Sequence, residues 1–76
     1  MLPELFHATN DDGASARARQ AVVDLSLTEK VRFRNIFYPE VQADFAARGG
    51  TQLPALWDGT LLVQGVDAVL EALRRL

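Results

Sequence analysis

The residues able to do chemistry sit near the start of the chain: His7, Thr9, Asn10, Asp11, Asp12 and Ser15. Asp11 and Asp12 are adjacent carboxylates, the type that binds divalent ions or shuttles protons. A hard-cation site wants several oxygen ligands, and two neighbours in one turn are too few. Capping the helix that follows is the better account of the pair. His7 is the only histidine and would titrate near neutral pH beside the acidic turn. Ser15 or Thr9 as nucleophile would need a base that a third group orients; His7 alone is available, and nothing in the sequence orients it.

What is missing narrows the chemistry further. The 76 residues include no cysteine, which removes disulfides, thiolate metal sites and any thiol nucleophile. The net charge of −2 supplies no basic field for nucleic acid or an anionic membrane. Arg17, Arg19, Arg32 and Arg34 are read as solvated surface, with Phe33 on the opposite strand face from its arginine neighbours. No apolar run reaches membrane-spanning length, and the first residues lack the pattern of a secretory leader. A cytoplasmic, single-domain protein covering residues 1–76 is the expectation. An apolar share of 49% suits a folded chain with a thin core.

The positioning elements follow from the pattern. Leu5–Ala8 reads as a first strand covered on both faces. Thr9 to Gly13 is a dense turn cluster, and Ala14, Ala18, Ala21, Val22 and Leu25 make the stripe of a helix ending near Leu25. Ser26 to Lys30 is a polar connection. Val31 and Phe33 alternating with arginines predict a strand with one wetter face, running on to Ile36 or Phe37. Pro39 and Glu40 open a short helix that stops at Arg48-Gly49. Asp58-Gly59, between Ala55–Trp57 and Thr60–Val63, predicts a two-residue hairpin. Val66, Val69, Leu70, Leu73 and Leu76 form the stripe of a last helix, with Asp67 in its cap or first turn. The order is β-α-β-α-β-β-α. It predicts an α/β fold, a four-stranded mixed sheet with helices on both faces, whose first βαβ unit is parallel. Among the aromatics, Trp57, Phe37 and Tyr38 are potential interface anchors, although core packing is the default for each.

Three segments resemble the thioredoxin superfamily, nearest its glutaredoxin-type members. Pro39-Glu40-Val41-Gln42-Ala43-Asp44-Phe45 resembles the start of that fold's second helix. Thr51-Gln52-Leu53-Pro54-Ala55-Leu56 resembles its segment with a cis proline facing the active site. Val63-Gln64-Gly65-Val66-Asp67 resembles the run leading into its last helix. The resemblance implies a thioredoxin-like fold over essentially the whole chain. It also implies that Asp12 and Ser15 stand near the places of the family's two reactive cysteines. Thiol–disulfide exchange needs a thiolate, which neither residue supplies. The expectation is therefore a redox-inactive domain, without a cofactor, acting as a protein or peptide interaction module. Its contact groove would comprise Asn10, Asp11, Asp12, Gly13, Gln52, Leu53, Pro54, Gln64, Gly65 and Asp67. Binding of glutathione or a related small thiol beside Leu53 is the alternative.

Overall fold

A computed structural model describes residues 1–10 and 13–76. The elements are β1 (Glu4–His7), α1 (Ala14–Asp24), β2 (Arg32–Asn35), α2 (Pro39–Ala47), β3 (Ala55–Trp57), β4 (Leu62–Gln64) and α3 (Val66–Arg74). They build one four-stranded mixed sheet in the order β2-β1-β3-β4. β1 is central: it runs parallel to β2 and antiparallel to β3, and β4 closes the far side antiparallel to β3.

Alternation along β1 divides the core in two. Leu5 faces α1 and α3, where it joins Ala18, Val22, Leu27, Val31, Leu56, Val69 and Leu73. Phe6 faces α2 and joins Val41 and Ala55, with Phe45, Leu53, Trp57 and Leu62 packed around them. Ala18 is wholly buried and lets α1 lie close against the sheet. The second core is the thinner one, since Val41 is the only buried residue of α2.

Several local expectations are corrected. The hairpin loop has four residues, 58–61, because Trp57 pairs with Leu62. The Asp58 carboxylate accepts hydrogen bonds from the Thr60 and Leu61 amides, both at 2.8 Å, and so draws two further residues into the turn. β2 stops at Asn35, whose side-chain oxygen captures the Phe37 amide at 2.9 Å and turns the chain. β1 begins at Glu4 and ends at His7, one residue earlier than the apolar run suggested. Leu25 lies beyond the last turn of α1 and is exposed, and Leu27 takes its place in the core.

The end of α1 rests on an unusual residue. Ser26 has φ 58°, and the amides of Ser26 and Leu27 donate back to Val23 and Val22 at 3.0 and 2.8 Å. This is the paired helix stop that glycine normally makes. A side chain in the left-handed region is disfavoured by about 1–2 kcal/mol, and glycine's extra freedom in the unfolded chain offsets part of that. Ser26→Gly is therefore expected to stabilise the domain by about 0.5–1 kcal/mol, measured as a rise in thermal midpoint. At the end of α2 the same stop is made with Gly49, φ 84°. Gly50 follows it, and a Cβ there would collide with the Phe45 ring.

Candidate functional site

The end of the sheet where β1 finishes brings Pro54 level with His7 and joins Pro54 to Gly65. Register sets the arrangement: Phe6 opposes Ala55, so His7 stands level with Pro54. The segment leaving β1 therefore departs beside Leu53-Pro54. Pro54 is buried and the bond before it is cis. Its carbonyl accepts the Gly65 amide at 2.9 Å, which joins the start of β3 to the start of α3. Gly65 caps α3 with φ 93°, and the Gln52 side-chain amide lies alongside it. Asp67 is exposed in the first turn of α3, where its charge suits the helix dipole but makes no side-chain capping bond.

Gln64 is a positioning residue. Its side-chain oxygen accepts the amides of Thr51 and Gln52 at 2.8 and 2.9 Å, and the Thr51 hydroxyl at 3.3 Å. One side chain thus shapes the whole approach to Leu53. Leu53 itself packs its side chain into the Phe6 core. Among the described residues, neither its amide nor its carbonyl has a hydrogen-bond partner.

On the other side of β1, Asn10 is exposed and Gly13 caps α1 with φ 107°, its carbonyl receiving the Arg17 amide at 2.9 Å. Asp11 and Asp12 lie outside the described residues, so the expected acidic cap lies there as well; Gly13 is the N-cap and makes no side-chain cap bond. Among the described residues no group of three His, Cys, Asp or Glu side chains gathers to hold a metal.

Ser15 is not presented to a substrate. It is fully buried, and its hydroxyl accepts the Ala8 amide at 3.0 Å. Ser15→Ala is expected to cost about 1–3 kcal/mol, because the Ala8 N–H would lose this buried acceptor; a lowered denaturant midpoint at unchanged slope would show it. His7 is also buried. Its Nδ1 lies 3.1 Å from an Arg19 Nη, and its ring meets Phe33 edge-on at 5.5 Å. Guanidinium only donates, so the nitrogen facing it is the accepting one. Arg19 also donates to the Ala8 carbonyl at 2.5 Å, which ties β1's exit to α1.

The arginine strand departs from expectation. Arg32 is exposed, but Arg34 is 7% exposed and Phe33 is 42% exposed. Arg34 shares the α2 face with Glu4 and Phe6, and there it pairs with Glu4 and with Asp44 of α2, the latter at 2.6 Å. Arg48 approaches the same Glu4 oxygen at 3.1 Å and stacks over Trp57 at 4.8 Å. Burial pushes the Glu4 carboxyl up, but hydrogen bonds and charge from Arg48 and Arg34 outweigh it and hold the group below its usual range. Asp44 is lowered by its Arg34 hydrogen bond. This buried cluster was missed in the sequence, where only the spacing of Glu4 and Arg34 on facing strands would have signalled it.

Trp57 is half-buried, as a core residue, whereas Phe37 and Tyr38 are both exposed and meet edge-on at 5.5 Å. Phe37 is the more exposed of the two. No helix among the described residues is long and apolar enough to cross a membrane. Comparison with protein-family models, with curated proteins and with solved structures finds no match.

Proposed function

We propose that this chain is a redox-inactive, thioredoxin-like domain of glutaredoxin size that recognises an extended segment of a partner protein. The strand order β2-β1-β3-β4, the parallel β1–β2 pair and the buried Pro54 level with the end of β1 support the fold reading. With no cysteine in the sequence, thiol exchange is not available to it.

The observation that carries the binding reading is the Leu53 peptide. Its N–H and C=O stand without a partner among the described residues, beside the segment that leaves β1. Unpaired main-chain groups at a sheet's end accept an added strand, which supplies the missing donor and acceptor together. Among the described residues, the contact rim then consists of residues 10, 13, 52–54 and 64–67.

The test is a titration of isotope-labelled protein with peptides captured from an array of terminally blocked hexapeptides. Amide shifts concentrated at residues 52–54 and 64–67 are expected. A silent spectrum, or shifts confined to the opposite end of the sheet, would refute the proposal. If millimolar glutathione alone reproduces the shifts, the site is one for a small thiol.

A further inference from the structure

The two crossovers leave adjacent parallel strands on opposite faces. β1 continues into α1, on the face of Leu5, while β2 continues into α2, on the face of Phe6. The chain therefore diverges beyond the carboxyl ends of β1 and β2, and neither helix covers the space between. In open α/β sheets such a divergence point is where ligands bind. An open crevice of about 580 Å³ lies there, lined by Thr9 and Asn10 after β1 and by Asn35, Ile36, Phe37 and Gln42 after β2.

The lining has a definite chemistry. Gln42 donates through Nε2 to the Ile36 carbonyl at 3.0 Å, and Asn35 accepts the Phe37 amide through Oδ1. These bonds orient both carboxamides. They leave the Asn35 amino group and the Gln42 Oε1 oxygen without partners among the described residues. One donor and one acceptor are thus left over, beside a Phe37 ring that is 74% exposed. Among the described residues no ionised side chain lines the crevice. An anion is disfavoured further, because Pro39 removes the first helical amide of α2 and Glu40 stands in its first turn. A peptide group with an apolar side chain meets these terms: it is neutral, and it offers one acceptor and one donor.

We propose that this crevice is a second subsite for the partner segment, holding a main-chain amide between Asn35 and Gln42 and a neutral apolar side chain against Ile36 and Phe37. The inference rests on the peptide reading above and adds to it what the partner must present. Leu53 precedes β3, and the crevice lies between β1 and β2. The two are offset across the strands by about one and a half strand spacings, about 7 Å. The partner's apolar residue is therefore a different residue from the one paired with Leu53.

The test uses the full chain and the same blocked hexapeptide array, with each position varied in turn. Wild type is expected to select neutral aromatic or aliphatic residues at one position, and to lose at least tenfold in signal when Asp or Lys is placed there. Phe37→Ser and Gln42→Glu are expected to abolish that preference, with circular dichroism melts showing both variants folded. Arg32→Ala, an exposed control outside the crevice, retains it. If both variants keep the wild-type preference, the subsite is refuted while the Leu53 rim stands. If wild type captures no peptide, both proposals fall.

Discussion

Replacing Glu4 by alanine is expected to destabilise the domain by about 3–5 kcal/mol, enough to unfold a chain of this size at room temperature. The side chains of Glu4 and Arg34 are 5% and 9% exposed, and Arg48 reaches the same carboxylate oxygen. Removing that carboxylate leaves two guanidinium groups over one Phe6 ring, at 5.4 and 5.6 Å, with no buried anion between them. The Arg48 Nη1 atom is buried, and the Glu4 carboxylate at 3.1 Å is its ion-pair partner among the described residues. Glu4→Gln keeps one oxygen and is expected to lose less. The paired change Glu4→Met with Arg34→Met removes both charges and is expected to recover much of the loss, which a double-mutant cycle on urea midpoints measures.

The same cluster sets an acid limit. Glu4, Asp44 and Asp58 are each held below their ordinary values of 4.5, 3.8 and 3.8. For Asp58 the cause is the Leu61 and then the Thr60 amide. A carboxyl whose value is lower in the folded than in the unfolded chain binds fewer protons when folded. Its stabilisation is complete above the ordinary value and is lost as pH falls through the depressed one. The urea midpoint is therefore expected to hold level from pH 7 to about pH 5 and to fall below that. Glu4→Gln is expected to flatten the fall; an unchanged slope in that variant would show that the Arg34–Glu4 pair is not its source.

The order of elements and their apolar stripes were legible because they are local. Ala18, Val22, Val69 and Leu73 recur at helical spacing, and each is buried as that spacing requires. Depth was not legible in the same way. Alternation along Arg32-Phe33-Arg34 says which residues share a face, and it is silent on whether that face is wet. Arg34 is buried because β1 sets Phe6 opposite it with Glu4 on the same face, and α2 brings Asp44, contacts 30 and 10 residues apart in sequence. Loop length failed for a related reason: the Asp58 side chain, not the Asp-Gly backbone preference, decides where the hairpin resumes. Around Leu53 what could be read was local: the register of β1 and β3 sets Pro54 level with the end of β1, and the Gly65 amide bonds the Pro54 carbonyl. The crevice was invisible, because it arises where two crossovers part and no single segment encodes it.

Phe6→Ala is expected to have a comparable effect, about 3–5 kcal/mol. Phe6 is 0% exposed and occupies the middle of the thinner core, with the Phe45 ring at 5.2 Å and both arginines stacked on it. Val41 and Ala55 are the buried residues beside it, and the larger neighbours Phe45, Leu53, Trp57 and Leu62 are only partly buried, so the space left would open toward the surface. Loss of dispersed amide signals at 25 °C would mark the outcome, and Phe6→Leu, which keeps most of the volume, is expected to stay folded. Because Phe6 and Glu4 share the two arginines, their separate losses should not add: the Glu4→Ala change is expected to cost less in a Phe6→Leu background than in wild type. The consequence reaches the rim. Leu53 packs into the Phe6 cluster, so the peptide groups proposed to receive a partner are held in place by this core. Phe6→Leu is therefore expected to weaken peptide capture more than an exposed change such as Arg32→Ala, even where both proteins remain folded. Equal capture by the two would separate the rim from the core beneath it.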